Sequence, residues 1–154
     1  MEKDPRDEAL KLKNQLCFPL YAAARKITGS YAPFLKPLGL TYTQYLVMLV
    51  LWEKDGITVG DLCGKLMLDN GTVSPLLKKM QQAGLVSRVR SDMDDRVVLI
   101  SLTREGKALQ KKAKDIPLKV AGCVDLPEDK AKQLYSLLYE LLNNQSCKTK
   151  GETR

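Results

Sequence analysis

A mainly α fold with one small β-hairpin is predicted, and three observations carry that prediction. Apolar residues recur at helical spacing through most of the chain. Two β-type runs, "LVSRVRS" and "RVVLISL", flank the polar stretch "DMDD". Directly before them stand a short helical stretch, "VGDLCGKLML", a tight turn, "DNG", and a second helical stretch, "TVSPLLKKMQQAG". Helix, turn, helix and hairpin in that order make a winged helix-turn-helix.

The elements follow in chain order. Residues 1–8 are polar. Leu10, Leu12, Leu16, Leu20, Ala23, Ala24 and Ile27 predict a helix over 9–28. Pro19 interrupts it, so the helix either kinks there or restarts with Pro19 in its first turn. "KPLGL" reads as a loop. "TYTQ" is a capping box, Thr41 with Gln44, opening a buried helix to about Trp52. Thr58 caps the first helix of the pair, with Val59, Leu62, Cys63 and Leu66 on its apolar face. Cys63 reads there as core packing. The second helix is expected from Thr72, with Pro75 tolerable in its first turn and Gly84 as its stop. Thr103 caps a helix over about 104–118. Asp125 and Glu128 predict a capping box on a last helix ending near Asn143. Residues 145–154 read as a disordered basic tail that holds Cys147. One domain is expected over 1–154. Its helix-turn-helix and wing lie over about 57–102, and the helices over 9–28 and 104–143 would make a dimer.

The chain carries 25 Lys and Arg against 18 Asp and Glu, a net charge of +7. That balance suits nucleic acid or a membrane surface, or simply a solvated basic surface. The basic residues gather on the second helix and the hairpin, not along an amphipathic stripe, which favours double-stranded DNA over a membrane. The chain has no histidine, which removes imidazole acid–base chemistry and His-dependent nucleophilic triads. The four cysteines, at 17, 63, 123 and 147, form no CxxC pair. No metal site and no cofactor are expected. "YLVMLVLW" is too short to span a bilayer, and no signal peptide precedes the first charges. A cytoplasmic location is expected, where thiols stay reduced unless they serve redox chemistry.

The second helix offers Thr72, Ser74, Lys78, Lys79 and Gln82 on its exposed faces, suited to the major groove. The hairpin offers Arg88 and Arg90 on one arm and Arg96 past the tip, where Asp94 or Asp95 could brace it. An arginine on a narrow ribbon can enter the minor groove. A two-fold dimer would set its two reading helices about 34 Å apart and read a pseudo-palindromic operator.

These features resemble the MarR family of dimeric regulators over nearly the whole chain. The segment "DNGTVSPLLKKMQQAGLVSRVRSDMDDRVVLISLTREG" carries the likeness to its recognition helix and wing. The first half, "NQLCFPLYAAARKITGSYAPFLKPLGLTYTQYLVMLVLWE", is similar to the organic hydroperoxide resistance regulators, the OhrR subgroup. The resemblance implies a non-enzymatic repressor. Cys17 is its peroxide sensor, Tyr31 and Tyr42 are phenols reaching that sulfur from the partner subunit, and Tyr21 occupies a further matching position. It implies Arg96 as the minor-groove arginine, braced by Asp94, and Cys123 as a resolving thiol for an intersubunit disulfide. Pro19 departs from the subgroup pattern. A helix start there would place a positive dipole end beside Cys17. Phe18, Leu20 and Phe34 would favour an organic hydroperoxide over hydrogen peroxide. Two other functions share these residues: a MarR-type repressor released by a small phenolic ligand at the dimer interface, and a thiol peroxidase using Cys17.

Overall fold

Nine helices and a three-stranded antiparallel sheet run in chain order among the described residues. The computed structural model describes residues 5–91, 94 and 97–144. Asp95, Arg96, Cys147 and the 145–154 stretch lie outside the described residues. The chain forms two compact units, Met1–Cys123 and Val124–Arg154.

The first unit opens with α1 (Pro5–Ala9), a 3-10 turn at Leu12–Asn14, and α2 (Cys17–Gly29). One continuous helix over 9–28 does not form. Gln15 is extended, with φ −93° and ψ 110°. Its carbonyl accepts from the Phe18 N–H at 3.3 Å, because Pro19 has no N–H to offer it. Of the two outcomes open at Pro19, the restart is the one observed. Pro19 is the third residue of α2, where its missing donor leaves nothing unpaired.

A one-turn helix, α3 (Ala32–Leu35), leads through a 3-10 turn to Gly39 at φ 67°. There α4 (Tyr42–Glu53) begins. Its capping box forms as expected. The Thr41 hydroxyl accepts from the Gln44 N–H at 3.3 Å, and the Gln44 side chain accepts from the Thr41 N–H at 2.8 Å. Tyr45, Val47, Met48 and Leu51 of α4 are buried.

Strand β1 (Ile57–Thr58) is absent from the sequence pattern. Two residues carry no periodicity, and the strand exists only through Ile57 pairing with Ile100 and Thr58 with Leu99. Helix α5 (Val59–Leu66) follows, capped by the Thr58 hydroxyl, which accepts from the Asp61 N–H at 3.0 Å. It ends on Met67 in the left-handed region, at φ 53°. Helix α6 (Asn70–Gln82) starts two residues earlier than expected. Asp69 caps it by accepting from the Thr72 N–H at 2.8 Å, so "NG" is helix and Pro75 sits in the second turn. Val73, Leu77 and Met80, at i, i+4 and i+7, turn α6 inward.

Strands β2 (Val86–Arg90) and β3 (Val98–Leu102) form the wing, in register from Val86 with Leu102 to Arg90 with Val98. The sheet order is β1-β3-β2. Leu62, Val73, Leu77, Met80, Val86 and Ile100 meet in one core, each at most 1% exposed. Each side chain so buried contributes about 1.5–3 kcal/mol.

Thr103 caps α7 (Arg104–Ala113) through the Gly106 N–H at 3.0 Å. The helix expected to run to 118 breaks at Ala113 and resumes as α8 (Ile116–Ala121), because Pro117 cannot donate to a carbonyl of α7. The second unit holds α9 (Glu128–Asn143). Its capping box does not form: Pro127 flanks the helix and no side chain caps it.

The foot of the wing is tied from three directions. Asp55, in the turn after α4, accepts from the Leu102 N–H at 2.8 Å and the Gly56 N–H at 2.9 Å, and pairs with Lys107 at 3.2 Å. The Trp52 indole N–H donates to the Gly106 carbonyl at 3.0 Å. Gly106 itself lies so close to the sheet that a Cβ there would fall 2.2 Å from the Leu85 carbonyl oxygen. Among the described residues no single helix is long and apolar enough to cross a membrane.

Candidate functional site

Two groups of residues stand out in the first unit. One is the thiol at the start of α2 together with the phenols on α3 and α4. The other is the exposed face of α6 with the wing.

Cys17 is the first residue of α2 and is exposed. Its side chain therefore stands at the N-terminal end of that helix. Leu16, Phe18 and Leu20 around it are exposed too, at 79%, 44% and 41%. Tyr21, one turn on, holds Arg25. The guanidinium donates to its hydroxyl at 3.4 Å and lies 5.6 Å from its ring centre.

Tyr31 and Tyr42 come together, with ring centres 4.9 Å apart. Both are half-buried. Tyr31 also lies 5.7 Å from the buried Tyr45, which meets Trp52 edge-on at 6.2 Å. Burial, and then the neighbouring Tyr31, push the Tyr42 hydroxyl above its ordinary range. It stays protonated at neutral pH, as a hydrogen-bond donor must.

The structure does not bring Cys17 to Tyr31 or Tyr42 within one chain. Helix α2 has 13 residues and, at about 1.5 Å per residue, is about 20 Å long. Cys17 is at one end and Tyr31 follows the other. Cys123 is exposed just past α8, its thiol donating weakly to the Lys119 carbonyl at 3.6 Å. Cys63 is half-buried and packs against the core, as its spacing suggested.

On α6, Lys78 and Lys79 are exposed. Thr72 and Ser74 are partly committed to the helix start: the Thr72 hydroxyl donates to Asp69 at 2.9 Å and that of Ser74 to Asn70 at 2.8 Å. The Thr72 N–H and hydroxyl together hold the Asp69 carboxyl below its ordinary range. Asn70 was not anticipated, because "DNG" reads as a turn. The Asp69-to-Thr72 cap spacing was the signal available. Asn70, Ser74 and Lys78 succeed one another at i, i+4 on one face.

Arg88 is half-buried opposite Ile100, and Arg90 is exposed opposite Val98, on the same side of the sheet. A groove of about 600 Å³ brings Arg88 together with Asn70, Ser74 and Val98. Asp94 is exposed, its carbonyl accepting from the Val97 N–H at 2.9 Å. Its expected partner Arg96 is outside the described residues. Among the described residues no group of three or more Cys, Asp or Glu is placed to hold a metal ion.

A helix-turn-helix ending in a three-stranded wing, on a helical frame, defines the winged-helix class. Residues 30–114 match the family described as transcriptional regulator SarA/Rot. Over 133 residues the chain is 50% identical to the organic hydroperoxide resistance transcriptional regulator of Bacillus subtilis (strain 168), covering 86% of this chain and 90% of that one. Reduced AbfR bound to DNA matches with a TM-score of 0.73 and 36% identity, over 89% of this chain and 96% of that one. Disulfide-formed AbfR matches over the same shares with a TM-score of 0.61 and 34% identity. AbfR is a protein of Staphylococcus epidermidis. The chain therefore belongs to the MarR-type transcriptional regulators, the family of the SarA/Rot and organic hydroperoxide resistance regulators.

Proposed function

We propose that this protein is a redox-sensing, DNA-binding transcriptional repressor that works as a homodimer and releases its operator when an organic hydroperoxide oxidises Cys17. The observation that carries the reading is the exposed Cys17 at the first position of α2, in a chain half identical to an organic hydroperoxide resistance regulator. The thiolate attacks the distal peroxide oxygen and the O–O bond breaks. Sulfur takes the hydroxyl and becomes a sulfenic acid, and the alkoxide leaves and takes a proton from water to become the alcohol. Tyr31 and Tyr42 supply hydrogen bonds to the sulfur before attack. Cys123 is the candidate second thiol: its sulfur attacks the sulfenic acid, an S–S bond forms and water leaves. Thr72, Ser74, Lys78 and Lys79 on α6, with Arg88 and Arg90 on the wing, are the residues for DNA, and Asp94 and Arg96, which fall between β2 and β3 in sequence, complete the set. The homodimer is supported by exposed leucines that one chain leaves uncovered, among them Leu16, Leu118 and Leu137 at 79%, 78% and 61%.

A gel shift with an operator fragment, with and without cumene hydroperoxide, tests this. The native protein should release DNA on oxidation, and Cys17→Ser should hold it. Cys123→Ser should lose the covalent dimer on a non-reducing gel and respond more slowly or more reversibly. Retention of full release by Cys17→Ser would overturn the reading. One feature favours a second reading, release by a small phenolic ligand. A groove of about 530 Å³ is lined by Tyr45, Leu49, Trp52, Lys111 and Lys114. Release that reverses on dilution, with Cys17 unmodified by mass, would support it. Catalytic turnover of peroxide with a thiol reductant would point instead to a thiol peroxidase.

A further inference from the structure

We infer that Asn70 reads one adenine in each operator half-site from the major groove, and that Ser74 is the positioning residue that sets the Asn70 amide for it. The inference rests on the reading of α6 as the helix that faces DNA.

The first support is the pair itself. Asn70 is the first residue of α6 and is exposed. Ser74 stands one turn on, and its hydroxyl donates to Asn70 Oδ1 at 2.8 Å. An amide can sit either way round, and this bond fixes which end is oxygen. It takes one lone pair of Oδ1. The second lone pair and the Nδ2 protons remain for an outside partner, an acceptor and a donor side by side. Adenine presents the complement in the major groove, its N6 amino donor beside its N7 acceptor. Guanine presents two acceptors there, so its O6 would face Oδ1 with no proton between them. Either pyrimidine can satisfy only one end of the amide.

The second support is reach. Asparagine is short, so it meets a base edge only if the helix comes close. Val73, Leu77 and Met80 turn the opposite side of α6 inward. Gly71 and Pro75 lie beside the pair on the outward side, both exposed, and neither carries a long side chain to hold the helix off the groove. A Cβ at Gly71 would already fall 3.0 Å from Asp69 Oδ1. Asp69 is committed elsewhere, since it accepts from the Thr72 N–H at 2.8 Å and the Thr72 hydroxyl at 2.9 Å. That pair closes on itself at the helix start, while the Asn70 amide keeps both of its functions.

The third support is charge. Asn70 and Ser74 are neutral and sit next to the Asp69 carboxylate, a poor setting for a phosphate. Phosphates find cations on either side instead. Lys78 follows Ser74 on the same face and is exposed, and Arg88 stands across the groove of about 600 Å³ that Asn70 and Ser74 also line. Cations that grip the backbone fix the register, and the neutral pair between them is left to read a base.

The test uses the reduced full chain and a pool of duplexes with a randomised centre, sequenced after binding. The native protein should select a two-fold site with adenine at one fixed position in each half. Asn70→Ala should select the same site with that position degenerate. Asn70→Asp has two acceptors and no donor, and should shift the position toward cytosine. Within the selected duplex, 7-deazaadenine at that position removes only N7. It should weaken native binding about tenfold, the scale of a bidentate base contact, and leave Asn70→Ala binding unchanged. Ser74→Ala should narrow the adenine-to-guanine preference at that position while the salt dependence of binding stays the same. Adenine selected as strongly by Asn70→Ala, or an equal loss on every sequence, would overturn the inference and leave the DNA-facing reading of α6 standing. Native-like affinity of Lys78→Ala for all duplexes, together with an unchanged selection by Asn70→Ala, would overturn both.

Discussion

Met67 holds a left-handed backbone at φ 53° with a side chain 61% exposed. It closes α5 and turns the chain toward α6. A Cβ in that conformation costs roughly 1–2 kcal/mol, which glycine avoids. Met67→Gly should therefore stabilise the protein by about 1 kcal/mol in urea melts, after glycine's extra unfolded-state freedom takes part of the gain. Asp55 makes a different argument at the same scale. Desolvation raises its carboxyl, but the Leu102 N–H, Lys107 and the Gly56 N–H together outweigh it, and the carboxyl lies below its ordinary range. A depressed carboxyl contributes stability that is present above its unfolded pKa and lost as pH falls through the folded one. Asp55→Asn should thus be less stable than the parent at pH 7. The gap should narrow as melts are repeated from pH 5 down to pH 3, and an unchanged gap would contradict the assignment.

At the scale of elements, the start of α7 is fixed against the sheet by Gly106, where a Cβ would fall 2.2 Å from the Leu85 carbonyl oxygen. Gly106→Ala must push α7 off β2 and strain the Trp52 hydrogen bond. We expect a loss of about 1–3 kcal/mol, the usual cost of overpacking a tight contact, read as a lower urea midpoint. The elements also show what a sequence can and cannot reveal. Caps at Thr41, Thr58 and Thr103 were legible because each is a contact within three residues. Strand β1 was not, because its two residues are a strand only against Ile100 and Leu99. The helix expected over 104–118 ran too long because its apolar spacing continues past Ala113, while Pro117 decides the break. The face of α6 was legible from helical spacing, but its true start at Asn70 was hidden by turn-like residues. The separation of Cys17 from Tyr31 follows only once α2 is seen to run unbroken from Cys17 to Gly29.

Over the whole molecule, the basic residues proposed for DNA occupy one helix and one ribbon of the first unit. Lys78 and Arg90 are both exposed, and each neutralised phosphate contributes about one unit to the slope of log affinity against log salt. Lys78→Ala and Arg90→Ala should each weaken operator and non-operator DNA alike and flatten that slope by about 1, measured by anisotropy titration from low to moderate salt. A variant that loses affinity only for the operator would place that side chain on a base edge instead.

The chain has a single tryptophan. It spans the junction where α4 meets α7, its indole N–H on Gly106 and its ring against Tyr45. The protein thus carries a built-in optical gauge at the root of the wing. Emission wavelength and quenching from that one indole follow the strain of this joint, with no dye attached and no second indole to subtract.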